Sequence, residues 1–262
     1  MEVSSDLNLS RSIIPLMEGK LFLGGKMYTL PELREIERRL NGAIMIDDGV
    51  ETELELFAGS YFKLRPTEFA PTIEIDGVRM HRTKNMDPME DARQKARCAV
   101  KSGDSVLDTC GGLGYTAIQA LECGAKRVVT VEKETAVREL RALNPHSRAL
   151  FCERVTMLEG SVYELIENFA DNEFDSVIHD PPRFSFAGEL YGKEFYKKMN
   201  RALKPKGRLF HYTGDPYSKG RGRRFIGGVM ERLSAAGFKV SEAPRYLGVS
   251  AVKIKSEDSK SD

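Results

Sequence analysis

Three short segments of this 262-residue chain combine residue types that could hold a ligand and act on it. The first is Val106-Leu107-Asp108-Thr109-Cys110-Gly111-Gly112-Leu113-Gly114-Tyr115-Thr116, which reads as a strand end, a glycine turn and a helix start. Glycine lets the backbone turn sharply and lets a ligand lie against bare amides. A bare Gly-x-Gly says little, because many strand-to-helix turns need glycine. Two acids give it weight. Asp108 ends the first strand, and Glu132 ends the next, 18 residues past Gly114, where a carboxylate can take both hydroxyls of a ribose. The second segment is Phe174 to Arg183, which carries Asp180-Pro181-Pro182 at a strand end. Prolines stiffen the loop and lack N–H groups, so their carbonyls are free to accept hydrogen bonds. The adjacent carboxylate can accept from an amine. The third is Met157-Leu158-Glu159-Gly160-Ser161-Val162. Ser161 can accept a hydrogen bond from a ligand or can cap the helix that follows.

Other chemistries find less support. Cys98, Cys110, Cys123 and Cys152 form no CxxC pair, and His81, His146, His179 and His211 show no metal spacing. No metal site is expected, and the cysteines fit a reduced cytoplasmic protein. His179 and His211 end neighbouring strands and read as buried, hydrogen-bonded side chains. No Ser-His-Asp or Cys-His set assembles from the spacing.

These segments must be positioned by a regular scaffold. Hydrophobic residues are 41% and charged residues 30%, enough for a substantial core. The net charge of +1 excludes a uniformly basic coat but not a local patch. No apolar run approaches a membrane span, and the start has no secretory signal pattern.

Residues 1–86 carry short alternating runs with hairpin turns at Asp47-Asp48-Gly49 and Asp76-Gly77, plus one helix over Pro31–Leu40 capped by Thr29. This predicts a small β-rich accessory domain. Residues 87–255 alternate strand and helix, which predicts an α/β fold with a doubly wound, mostly parallel sheet. Its helices are expected at 88–101, 115–123, 135–143, 162–169, 191–203 and 224–236. Its strands are expected at 105–108, 127–132, 155–158, 176–179, 207–213, 239–243 and 249–254. The tail, 256–262, reads as disordered. Between Lys193 and Arg224 stand eleven Lys or Arg against Glu194 and Asp215. That cluster is either a phosphate-binding patch for RNA or a solvated helix face.

The glycine segment resembles motif I of class I S-adenosylmethionine-dependent methyltransferases, D-x-G-x-G-x-G, with Asp108, Cys110, Gly112 and Gly114 in its places. Cys110 departs from the first glycine. The resemblance implies S-adenosylmethionine as cofactor, with Gly112 and Gly114 close to its methionine moiety and Glu132 on its ribose. Ser161 stands where related enzymes carry an Asp that receives the adenine amino group. Asp180-Pro181-Pro182-Arg183 resembles motif IV of amino-methylating enzymes, with Arg183 in place of the usual aromatic, a role that Phe184 or Phe186 could take. This implies a nitrogen acceptor (RNA base, protein or small amine) oriented by Asp180, Pro181 and Pro182, with His211 or Tyr212 shaping the pocket.

The string His179–Phe186, with Gly188-Glu189-Leu190-Tyr191 and Phe210-His211-Tyr212-Thr213-Gly214, resembles an archaeal group of predicted methyltransferases over roughly residues 80–255. A β-rich front domain followed by Met80-His81-Arg82-Thr83 and Asp87-Pro88 is also similar in layout to the tRNA adenine-N1 methyltransferases, which implies RNA and a homo-oligomer. A spermidine-synthase-type aminopropyltransferase shares this layout but carries a second Asp just before the loop proline. A subunit that binds or assembles RNA without turnover would keep the fold too, and the departures at Cys110, Ser161 and Arg183 keep that reading open.

Overall fold

The computed structural model describes residues 2–39, 42–214 and 220–254. The expected disordered tail and the Leu40 end of the first helix lie outside these residues. Contacts divide the chain into two compact units, Met1–Pro88 with Ala136–Arg148, and Met89–Thr135 with Ala149–Asp262. The stretch 136–148, read from sequence as part of the α/β domain, groups by contacts with the N-terminal unit.

Among the described residues, the first unit holds ten short antiparallel strands: β1 (Glu2–Val3), β2 (Ser12–Ile13), β3 (Lys20–Leu23), β4 (Lys26–Thr29), β5 (Ile44–Asp47), β6 (Val50–Glu53), β7 (Glu55–Phe57), β8 (Tyr61–Arg65), β9 (Thr72–Ile75) and β10 (Val78–Arg79). They form three two-stranded ribbons and the sheet β10-β9-β8-β7. Both expected Asp-Gly turns are present. Asp48 and Gly49, like Asp76 and Gly77, all have positive φ, which matches the right-handed twist of the flanking strands. The helix α1 (Leu30–Arg39) opens on a reciprocal cap. The Glu32 amide donates to Thr29 Oγ1 at 3.3 Å and the Thr29 amide to Glu32 Oε2 at 2.7 Å.

The rest of the chain alternates as read: α2 (Pro88–Ala99), β11 (Ser105–Asp108), α3 (Tyr115–Glu122), β12 (Arg127–Glu132), α4 (Thr135–Leu143), β13 (Val155–Glu159), α5 (Val162–Leu165), β14 (Phe174–His179), α6 (Lys193–Ala202), β15 (Leu203–Tyr212), α7 (Gly220–Ser234), β16 (Phe238–Ala243) and β17 (Gly248–Lys253). Several boundaries differ from expectation, among them the start of α7, at Gly220 rather than Arg224. The helix after β13 tightens into a 3-10 turn at Ile166–Asn168, and another 3-10 turn at Gly188–Tyr191 precedes α6. β15 starts at Leu203, because Leu203 pairs with Phe174 across an irregularity in the ladder.

The seven strands lie in the order β13-β12-β11-β14-β15-β17-β16. β11 to β15 run parallel, and β17 is antiparallel to both neighbours. Successive residues of a strand face opposite sides. Leu107, Val129 and Val177 therefore enter one core, with Phe195, Met199 and Leu209. Val106, Val128 and Ile178 enter the other, with Ala96, Ile118 and Leu150. A parallel sheet covered on both faces reads as continuous apolar runs, which is why these strands lack polar alternation. Each fully buried aliphatic or aromatic side chain contributes about 1.5–3 kcal/mol to holding the strand ends in place. Among the described residues, no helix is long and apolar enough to cross a membrane.

Candidate functional site

The strand order reverses between β11 and β14, and ligands of open α/β sheets bind at the carboxyl ends of strands at such a point. Asp108 ends β11, and Asp180 follows directly after β14. Glu132 ends β12 beside them, paired in register with Glu159 of β13.

The glycine turn is tied down by its own main chain. The Gly111 amide donates to the Val131 carbonyl at 2.7 Å, and the Gly114 amide to the Gly111 carbonyl at 2.7 Å. The Gly112 amide donates to Glu132 Oε2 at 2.7 Å, and the Glu134 amide to Glu132 Oε1 at 2.9 Å. The two glycines of the motif meet different surroundings. A Cβ on Gly112 (φ +51°) would meet nothing within 4 Å. One on Gly114 (φ +86°) would lie 2.7 Å from Leu150 Cδ2. Gly112 thus presents bare main chain to open space, whereas Gly114 is required by its backbone angle and by the packing of Leu150 at the start of α3.

Asp108 is fully buried. Its Oδ2 accepts from Thr130 Oγ1 at 2.8 Å, while Oδ1 is buried without a donor. Burial pushes its carboxyl up to about 7, against the pull of the Thr130 and Thr116 hydroxyls. Cys110 packs against the core cluster below the turn. Burial, helped by Glu132, raises its thiol well above the usual range, so it is no nucleophile. Ser161 stands at the N-cap of α5 but makes no side-chain cap bond, which leaves its hydroxyl unspent. An open glycine face, an unpaired buried carboxylate oxygen, a carboxylate at a neighbouring strand end and a free hydroxyl suit the donors and cations of an S-adenosyl nucleoside.

Strand alternation sorts the residues around the second loop. His179 faces the core below α6, and Asp180 faces α2. His179 Nε2 lies 3.0 Å from the Leu190 carbonyl and Nδ1 lies 2.7 Å from Thr109 Oγ1. A carbonyl only accepts, so the proton sits on Nε2 and Thr109 donates to Nδ1. Burial lowers His179 to about 3, and it lowers His211 well below its usual value with help from His179. His211 Nε2 meets the Tyr196 hydroxyl at 2.9 Å. Both histidines are buried, neutral and hydrogen-bonded. Tyr191 donates its hydroxyl to the Pro182 carbonyl at 2.8 Å, and no described residue donates to that of Pro181. Phe184 and Phe186 are 55% and 53% exposed, so both rings are available for stacking, with Phe184 edge-on to Tyr191.

Sequence reasoning missed one residue. Lys95 of α2 is buried, with Nζ 2.6 Å from Asp180 Oδ2 and 2.8 Å from Asp91 Oδ2. The Asp91/Lys95 spacing, one helical turn, was the available signal. The basic cluster is partly spent within the fold. Lys197, Lys198, Arg201, Lys204 and Arg208 pair with Glu194, Glu167, Asp171, Asp175 and Asp104. Lys193, Lys206, Arg223 and Arg224 are exposed; residues 215–219 lie outside the described set.

The strand order, with β17 antiparallel between β15 and β16, and the acid-flanked glycine turn define a class I methyltransferase-like fold. The family described as "Conserved hypothetical protein 95" matches residues 88–212. "Uncharacterized protein MJ1233" of Methanocaldococcus jannaschii is 50% identical over 223 residues, 84% of this chain and 77% of that protein, and this chain belongs to its family. Ribosomal RNA large subunit methyltransferase I of Serratia proteamaculans is 26% identical over 158 residues, 56% of this chain and 39% of that protein. The chain therefore spans about two-fifths of that relative. A spermidine synthase solved with the transition-state analogue AdoDATO shares the fold with a TM-score of 0.59 at 20% identity, covering 76% of this chain and 70% of that one.

Proposed function

We propose that this protein is an S-adenosylmethionine-dependent methyltransferase acting on a nitrogen acceptor. The observation that carries this is the meeting of two features at adjoining strand ends: the open Gly112 turn locked to Glu132, and the Asp180-Pro181-Pro182 loop. Gly112 and Ser161 face the nucleoside, Glu132 takes its ribose hydroxyls, and the buried Asp108 lies beneath the turn with one oxygen lacking a donor. Gly114 and Cys110 shape the turn from below. When bound, the cofactor supplies an electrophilic methyl on a sulfonium.

Asp180 and the Pro181 carbonyl accept N–H groups of the acceptor and so aim its lone pair. That pair would take the methyl of a cofactor held by Gly112, Glu132 and Ser161, and the nitrogen proton would pass to Asp180 or solvent. In-line displacement gains most from such positioning. Phe184 and Phe186 would stack on a planar acceptor, and the exposed Lys193, Arg223 and Arg224 favour RNA among acceptors.

Isothermal titration with S-adenosylmethionine and S-adenosylhomocysteine, followed by labelled-methyl transfer into RNA, protein and metabolite fractions, tests this. Saturable binding and a labelled fraction, lost in Asp180→Ala, are expected. Absence of binding by the wild type removes the reading. Binding without transfer to any fraction favours a non-catalytic RNA-binding subunit. Product from decarboxylated S-adenosylmethionine and a polyamine favours aminopropyl transfer.

A further inference from the structure

Three elements of one compact unit converge on a single ammonium. α2 brings Lys95, the end of β14 brings Asp180, and the end of β15 brings Tyr212, whose ring centroid lies 4.0 Å from Lys95 Nζ. Asp91, one turn back on α2, supplies a second carboxylate at 2.8 Å. The Lys95 side chain is 6% exposed and that of Asp91 4%, but that of Asp180 is 19% exposed. The carboxylate of the acceptor loop thus keeps an open side, while its counter-ion has none.

We propose that Lys95 is the positioning residue of the acceptor loop: by occupying Asp180 Oδ2 it holds that carboxylate ionised and leaves Oδ1 to accept from an acceptor nitrogen that arrives uncharged. This rests on the methyltransferase reading above and names the acceptor class within it. Burial alone would favour a neutral carboxylic acid at Asp180. A neutral acid could donate to the acceptor lone pair and withdraw it from the reaction. The Lys95 ammonium opposes the rise that burial causes, although the carboxyl stays above its usual value. The ammonium also cancels one of the two negative charges that Asp91 and Asp180 would otherwise offer to a polyammonium chain. An aromatic or exocyclic amine fits what remains, since it brings N–H donors and no charge.

A buried ion pair is weak support for stability, because apolar replacements of similar volume are often as stable. A Lys95 that merely filled space could be replaced by Met with the Asp180 titration unmoved. The test reads that protonation directly and needs neither cofactor nor acceptor. The side-chain carboxyl carbon of Asp180 is followed by 13C NMR from pH 4 to 9 in wild type, Lys95→Arg and Lys95→Met. Wild type and Lys95→Arg should remain ionised from pH 6 upward, and Lys95→Met should titrate at least one pH unit higher. Wild-type titration within the neutral range overturns the proposal, as does an unchanged profile in Lys95→Met. Where Lys95→Met does not fold, the wild type and Lys95→Arg decide alone.

The acceptor class is read by titrating S-adenosylhomocysteine-treated protein with spermidine. No saturable binding is expected for wild type, and saturable spermidine binding overturns that half. Failure of the methyltransferase reading appears separately, as absence of S-adenosylhomocysteine binding while Asp180 stays ionised.

Discussion

The Glu132 carboxylate and the Gly112 amide share a hydrogen bond of 2.7 Å, which joins the acid at the end of β12 to the bare main chain after β11. The other oxygen of Glu132 takes the Glu134 amide. A carboxylate can accept about four hydrogen bonds, so shaping the turn does not by itself exclude a ligand hydroxyl.

Replacing Glu132 by Gln puts an NH2 where one amide needs an acceptor. Hydrogen bonds to a charged group contribute about 1.5–3 kcal/mol. Affinity for S-adenosylhomocysteine should fall about 10- to 100-fold in Glu132→Gln, measured by calorimetry. The urea midpoint should also fall, because the Gly112 or the Glu134 amide loses its acceptor. Unchanged affinity would separate Glu132 from ligand binding.

The two glycines of the turn should respond oppositely to the same change. Gly114→Ala drives a methyl into Leu150 at a positive φ, so it should lower stability by about 2–4 kcal/mol. Leu150→Ala added to it should cost less than Leu150→Ala costs alone, because the new methyl occupies part of the vacated space. Gly112→Ala meets open space and only the backbone penalty, about 1–2 kcal/mol. Its larger effect should be on ligand affinity, because the methyl enters the face offered to the nucleoside. Urea unfolding and calorimetry on both variants, Leu150→Ala and the double variant decide this. Equal affinity losses in the two variants would contradict the assignment.

Much of this architecture was legible in local chemistry. Asp-Gly turns, the Thr29–Glu32 cap, the Asp87-Pro88 helix start and the apolar strands each carry their signal within a few residues. So do the acids at the strand ends, because strand spacing fixes where they emerge. What stayed hidden depends on partners far along the chain. Lys95 meets Asp180 only because α2 covers the face that Asp180 points to. Gly114 meets Leu150, and β15 begins at Leu203 rather than Gly207 because Phe174 lies opposite. The basic run between 193 and 224 looked uniform in sequence. Its acids, Asp104, Glu167, Asp171 and Asp175, come from other elements.

The neutral His179 gives stability a pH dependence with a definite sign. Its folded value, about 3, lies below the 6.5 of an unfolded histidine. Between those values the unfolded chain binds a proton that the folded one does not. Stability should therefore fall as pH drops below 6.5, by up to about 1.4 kcal/mol per pH unit for this residue. The His179 contribution, read as the difference in urea midpoint from a His179→Gln variant, should decline from pH 7 to 5, and 15N NMR should show a neutral ring with the proton on Nε2 throughout. A ring that charges near pH 6 would contradict the buried assignment.

Asp108 acts in the opposite direction. Its folded value of about 7 lies above the 3.8 of an exposed aspartate, so between these values the folded chain holds a proton that the unfolded chain has released. Stability from this residue is fully present below pH 3.8, declines as pH rises through the window and levels off above 7. The shift corresponds to a cost on the order of 4 kcal/mol at neutral pH. Asp108→Asn keeps an acceptor for Thr130 and removes the titration. The variant should match wild type near pH 4 and exceed it in urea midpoint by a margin that grows up to pH 7. A margin that is flat across that range would mean Asp108 is ionised in the folded protein, so that burial does not dominate at the end of β11.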